Sequence, residues 1–151
     1  MSEPPRPPVG HVLRATPVSA LVAVSAGGAI GALGRYGLTR AFPSDPSEFD
    51  LATFTANAAG GLLIGVLMVV VTEVAPGGRL VRPFLGVGVL GGFTTFSTYI
   101  VDIGRAANAG DTALAVAYAF ATMAVALLTA AAGMYGTRRV LLRSNRGEGA
   151  R

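Results

Sequence analysis

Four long apolar stretches separated by short polar connections make up most of the chain. Pro17 to Gly34, Leu51 to Thr72, Pro83 to Val101 and Thr112 to Thr137 carry no charge over 18, 22, 19 and 26 positions. A helix needs roughly 20 residues to cross about 30 Å of hydrocarbon. The pattern therefore predicts four transmembrane helices, the first the shortest. A cleavable signal peptide is the rival reading of the first stretch. Its glycine-rich end, with no clear cleavage site, speaks against that reading. Arg35 to Asp50 contains the breakers Pro43 and Pro46, Glu73 to Arg82 contains the turn signal Pro76-Gly77-Gly78, and Asp102 to Asp111 joins the last two spans. Loops this short leave no room for a soluble catalytic domain. The expected organisation is a disordered proline-rich tail over 1–16, a four-span membrane domain over 17–140 and a basic tail over 141–151.

Small residues recur at four-residue spacing: Gly27 and Gly31, Gly28 and Ala32, Ala52, Ala56 and Gly60, Gly61 and Gly65, Gly88 and Gly92. In lipid no hydrophobic drive brings helices together, so close backbone approach must supply the packing. The spacing predicts a tight all-α bundle that forms an oligomer.

Composition sharpens this picture. Only 13% of the 151 residues are charged, against about 25% in soluble proteins. There is no cysteine and one histidine, His11, in the N-terminal tail. That argues against thiolate metal sites, zinc chemistry and histidine-based acid–base catalysis. The net charge of +4 comes from arginine alone. These arginines flank apolar runs, which favours a membrane surface over nucleic acid as their partner. Four spans put both termini on one side. That side holds nine arginines (Arg6, Arg14, Arg79, Arg82, Arg138, Arg139, Arg143, Arg146 and Arg151), and the other holds three (Arg35, Arg40 and Arg105). The bias predicts cytoplasmic termini in a plasma membrane.

The third span is the unusual one. Two adjacent glycines followed by Thr94-Thr95-Phe96-Ser97-Thr98 are poor helix material, and the hydroxyls compete for the backbone. A helix break is expected near Gly91 to Thr95. Such a break is tolerated in hydrocarbon only against protein, water or an ion, and discontinuous spans commonly build ion sites. A glycine-rich packing groove with self-bonded hydroxyls accounts for the same composition equally well. Gly86-x-Gly88-x-x-Gly91 also matches a dinucleotide fingerprint, but it lacks the strand and βαβ unit that motif needs.

Gly91-Gly92-Phe93-Thr94-Thr95-Phe96-Ser97-Thr98-Tyr99 resembles the third span of the Fluc (CrcB-type) fluoride channels. Gly31-Ala32-Leu33-Gly34-Arg35-Tyr36 resembles that family's Gly-Ala-x-x-Arg-Tyr, and Thr53, Asn57 and Gly60 match its second-span Thr-x-x-x-Asn-x-x-Gly. The resemblance covers residues from about 27 to 140. It implies an antiparallel dimer of four-helix subunits, with a structural sodium ion held at the dimer axis by backbone carbonyls of Gly91 and Thr94. It implies fluoride passage along the ring edges of Phe96 and Tyr99, with phenylalanine usual where Tyr99 stands. Asn57, Tyr118 and Thr122 match further pore positions, with threonine where serine is common. Thr95, Ser97 and Thr98 are additional hydroxyl donors, and Arg35 matches a vestibule arginine. Simple readings exist for each: core packing for the aromatic pair, an interhelical bond for Asn57, an interface anchor for Arg35.

The function implied is passive export of cytoplasmic fluoride. A small multidrug exporter would need an ionisable residue inside the membrane, and the four uncharged stretches supply none. An enzyme is disfavoured because no nucleophile or acid–base constellation is present. A subunit without a pore of its own is the remaining alternative. Antiparallel homodimers require one sequence to insert both ways, and nine arginines against three oppose that. An oppositely oriented homologue is therefore the expected partner if the chain does not pair with itself.

Overall fold

The computed structural model describes residues 17–45, 48–74 and 78–148, with side chains as far as Arg143. The expected tail at 1–16, and Pro46, Pro76 and Gly77 of the connections, lie outside the described residues. Four helices long and apolar enough to cross a membrane follow one another: Val18–Ala41, Leu51–Val74, Arg82–Asn108 and Thr112–Arg143. They are called spans one to four below. The last helix continues to Glu148. Large apolar side chains such as Leu33, Leu63, Val87 and Phe120 face outward on all four, as expected where the surroundings are lipid or a second subunit.

Three of the spans are bounded by local chemistry. Asp50 Oδ1 accepts from the Thr53 N–H at 2.7 Å and caps span two. Asp111 Oδ1 accepts from the Leu114 N–H at 2.8 Å and does the same for span four. Between spans three and four Gly110 adopts φ +89°, and the Asp111 N–H returns to the Ala106 carbonyl. That is a glycine-terminated helix end, and only a residue without Cβ takes this conformation at no steric cost.

Spans one and three form one close pair, and spans two and four the other. A Cβ added at Gly27 would strike the Phe84 carbonyl, and one at Gly31 the Val89 carbonyl. Gly88 and Gly92 would strike carbonyls of Val24 and Gly28 in return. In the second pair Gly61 and Gly65 sit against the carbonyls of Ala126 and Ala130, and Gly133 sits against that of Leu62. Backbone therefore meets backbone, as the four-residue spacing demands. Gly28, by contrast, has open space around it.

Three boundaries differ from the sequence expectation; one is that of span four, which runs as helix to Glu148 through most of the expected basic tail at 141–151. Span one continues as helix to Ala41, placing Arg35 and Arg40 on it. Span three continues to Asn108, so Asp102 is part of a helix and not of the following loop. Within span three, Arg82–Leu90 winds as a π-helix and Gly91–Phe93 as α-helix. Thr94 is then extended, at φ −80° and ψ 161°, and helix resumes at Ser97. The expected interval was Gly91 to Thr95; the residues outside the helical segments are Thr94 to Phe96, of which Phe96 already has helical φ and ψ.

Candidate anion path beside the third span

Leaving the helix strands backbone groups that the ladder would otherwise join. In a continuous helix the Thr95 N–H would bond the Gly91 carbonyl. Here it donates to Asn57 Oδ1 at 2.9 Å, and Asn57 Nδ2 donates to the Thr95 carbonyl at 3.0 Å. One amide from span two thus serves both backbone groups of Thr95. The Thr98 N–H would have bonded the Thr94 carbonyl and instead reaches Thr95 Oγ1 at 3.1 Å. The Gly92 carbonyl is taken by Arg35 Nε of span one at 3.2 Å. Two carbonyls near the interval are therefore claimed by side chains of neighbouring spans. Those of Gly91 and Thr94 have lost the amides that a helix would have given them.

Thr94 is seated from two sides. Its hydroxyl donates to the Leu90 carbonyl at 2.8 Å, and its methyl lies against Gly60, where a Cβ would collide with it. Thr53, Asn57 and Gly60 lie at i, i+4 and i+7, which places them on one helical face. Asn57 and Gly60 are the two that touch the interval.

A cavity of about 470 Å³ opens beside it, lined by Asn57, Gly91, Thr94, Thr95, Phe96, Tyr99 and Thr122 together with aliphatic residues. No charged side chain lines it. Phe96 is 70% exposed on the outer face, whereas Tyr99 is 6% exposed. Their ring centroids are 5.8 Å apart. The aromatic row continues from Tyr99 to Tyr118 at 5.9 Å and from Tyr118 to Phe49 at 4.9 Å, the last pair edge to face. The Tyr99 hydroxyl donates to the Ala119 carbonyl of span four at 2.7 Å. Thr122 is 3% exposed, and its hydroxyl has no hydrogen-bond partner.

The remaining expected site residues lie outside this lining. Ser97 is exposed, and Thr98 is bonded to Thr95 Oγ1 at 3.0 Å. Arg35 is at the interval through its Nε. Tyr118 stands one turn from Thr122 and directs its hydroxyl to Asp102 Oδ2 at 3.5 Å.

Asp102 was not anticipated as a buried group. It is 8% exposed and paired with Arg105 Nη1 at 3.2 Å. An uncharged third stretch ending at Val101 concealed it, because the helix runs about two turns further, to Asn108. Span three therefore holds an ionisable residue, contrary to the sequence expectation that no span does. The carboxylate has its own counter-ion within one turn, as intramembrane charges require.

Phe49, also unanticipated, joins the row from the loop before span two. Its signal in the sequence was slight: an isolated aromatic between two acidic residues.

Residues 22–134 match the family model described as CrcB-like protein, Camphor Resistance (CrcB). The chain is 48% identical over 130 residues to a protein of Streptomyces avermitilis named Fluoride-specific ion channel FluC 2, covering 86% of this chain and 81% of the relative. It is 48% identical over 125 residues to Fluoride-specific ion channel FluC 1 of Streptomyces coelicolor, covering 83% and 80%. A second protein of Streptomyces avermitilis, FluC 3, is 40% identical over 123 residues, covering 82% of this chain and 60% of the relative.

Proposed function

The chain belongs to the CrcB family, and on that premise we propose that it is a passive fluoride channel of the bacterial plasma membrane. The observation that carries this reading is the uncharged cavity in which Asn57, the Phe96–Tyr99 rings and Thr122 come together. Fluoride is small and strongly hydrated. Replacing its water needs a narrow path lined with donors. Asn57 Nδ2 has a second N–H beyond the one bonded to Thr95. Aromatic edges carry partial positive charge and complete such a lining. A lysine or arginine in the same place would hold the anion too strongly to release it.

Export needs no coupling. Hydrogen fluoride enters as the neutral acid and dissociates inside, and the membrane potential drives the anion out. Asp102 does not argue for a proton-coupled exporter, since Arg105 neutralises it locally.

The subunit works as an antiparallel dimer in this reading, and the interval Thr94–Phe96 acts as a break in span three at the dimer axis. The Gly91 and Thr94 carbonyls fit a structural sodium ion, because hard cations prefer oxygen donors and these two have lost their helical amides. The outward-facing Phe96 would meet the partner.

Orientation favours termini inside. Among the described residues, Arg79, Arg82, Arg138, Arg139 and Arg143 crowd one end, and Arg35, Arg40 and Arg105 lie at the other. With that bias the partner is an oppositely oriented homologue. The two related proteins of Streptomyces avermitilis give a precedent for more than one such chain in a cell. Expression in a fluoride-sensitive bacterium tests both statements. Restored growth on fluoride supports the channel, and restoration only on co-expression with a homologue of opposite arginine bias supports the pair. No restoration under either condition contradicts the reading.

A further inference from the structure

The three arginines at one end of the bundle are all engaged within the chain. Arg35 Nε donates to the Gly92 carbonyl, Arg40 lies over the Tyr36 ring at 5.7 Å, and Arg105 pairs with Asp102. The end where span four finishes differs. Arg138 Nε donates to Glu73 Oε1 at 2.8 Å, whereas Arg139 and Arg143 are exposed and belong to no ion pair among the described residues.

Helix length sets their depth in a bilayer. Thr112–Glu148 covers 37 residues, about 55 Å, against about 30 Å of hydrocarbon. The half-exposed Arg138–Glu73 pair belongs at the edge of that hydrocarbon. Arg143 lies about 8 Å beyond it along the axis, and the polar layer of a leaflet is about 5–8 Å deep. Leu128 lies about 15 Å to the inner side, near the middle of the bilayer. Leu128, Tyr135 and Leu142 recur at seven-residue spacing and are 68%, 67% and 61% exposed. Arg139 and Arg143 follow Tyr135 at i+4 and i+8 on the same face. Gly133, two residues before Tyr135, packs on the Leu62 carbonyl of span two. Two residues turn a helix by about 200°, so this face looks away from span two. From the middle of the bilayer outward it presents an aliphatic side chain, a phenol and two guanidiniums. These follow the acyl, interfacial and phosphate layers of a leaflet.

We propose that the row Tyr135, Arg139 and Arg143 on span four binds the headgroup of an anionic phospholipid in the leaflet at this end of the bundle. The two guanidiniums donate paired N–H bonds to phosphate oxygens. Tyr135 rests at the interfacial level and Leu128 against an acyl chain. Leu142, exposed between the two arginines, holds the face against the membrane surface. A net negative headgroup is selected because the phosphate of a zwitterionic lipid is already offset by its own ammonium. The site stands apart from the anion path, since none of these residues lines the cavity, and it does not depend on what the chain conducts.

Lipid titration of the full chain in detergent tests this, with single binding events resolved by native mass spectrometry. Phosphatidylglycerol and phosphatidylcholine are the two probes. An arginine near an anionic surface contributes about five-fold to binding, so the first phosphatidylglycerol is expected to bind at least about ten-fold tighter than the first phosphatidylcholine. The double variant Arg139→Gln, Arg143→Gln is expected to lose about 25-fold in phosphatidylglycerol affinity. Its phosphatidylcholine affinity should stay that of the parent, because both side chains are exposed. The double variant Arg79→Gln, Arg82→Gln removes the same charge from the same end and is expected to change phosphatidylglycerol affinity less than about three-fold. Equal affinity of the parent for the two lipids overturns the proposal. So does equal weakening in both double variants, which would mean a diffuse field in place of a site. Displacement of phosphatidylglycerol by inorganic phosphate at constant ionic strength would make this a site for the free anion and also overturn it.

Discussion

Asn57→Ala separates a structural amide from a purely ion-binding one. The side chain serves the N–H and the carbonyl of Thr95 at 2.9 and 3.0 Å. Alanine leaves both without a partner at a place where the helix cannot restore them. An unsatisfied buried group costs about 1–3 kcal/mol, so two cost about 2–6 kcal/mol. Interhelical side-chain bonds in membranes average nearer 0.6 kcal/mol, because the unfolded chain in lipid finds other partners. That draws the expectation toward the lower end, about 2–4 kcal/mol. The assay is reversible unfolding of the purified chain in mixed detergent micelles, followed by circular dichroism. Thr137→Ala is the control. Its hydroxyl bonds a carbonyl of its own helix, so its removal strands nothing and should cost less than about 1 kcal/mol. Asn57→Asp adds a sign. The protonated acid can still donate to the Thr95 carbonyl and accept from its N–H, whereas the carboxylate can only accept. Stability of that variant should therefore fall as pH rises. Equal stability of Asn57→Ala and Thr137→Ala would refute the claim that this amide holds the interval in place.

Other perturbations follow from the packing and the charges. Gly31→Val should force spans one and three apart, because a backbone carbonyl occupies the space; a loss of about 3 kcal/mol in the same unfolding assay is expected, against less than about 0.5 kcal/mol for Gly28→Ala, where the space is open. Glu73→Gln removes an exposed pair with Arg138 at 2.8 Å and should change stability by at most about 1 kcal/mol, with no difference from the parent at high salt. Phe96→Ala removes a ring that is mostly exposed in the single subunit. It should leave monomer unfolding within about 0.5 kcal/mol of the parent while lowering fluoride efflux, and a large monomer destabilisation would show that the ring packs internally.

Much of the architecture was legible because membrane physics is restrictive. Charge-free stretches near 20 residues have one main solution in hydrocarbon, and the small-residue spacing predicted close packing, which the structure places at Gly27, Gly31, Gly88 and Gly92 and not at Gly28. The helix ends were less legible. Arg35 and Asp102 interrupt the apolar runs, yet helices continue past both, because a neighbouring carbonyl serves one and Arg105 the other. Composition brought the interval in span three to within a few residues, since Gly91 and Gly92 are weak helix formers but stay helical when nothing forces them out. What ends the helix is the contact with Asn57, which is 38 residues away in sequence and invisible to local propensity. The destination of the Tyr99 hydroxyl was equally hidden. A tyrosine at a phenylalanine position announces an extra oxygen, and only the packing of span four decides where it points.

Fluoride efflux from liposomes holding the purified chain, followed with a fluoride electrode and with chloride as the control ion, tests the central claim most directly. The account predicts fast fluoride-selective efflux, either from the chain alone or after co-reconstitution with an oppositely oriented homologue. Chloride passing as readily as fluoride, or no fluoride flux in either preparation, would contradict it.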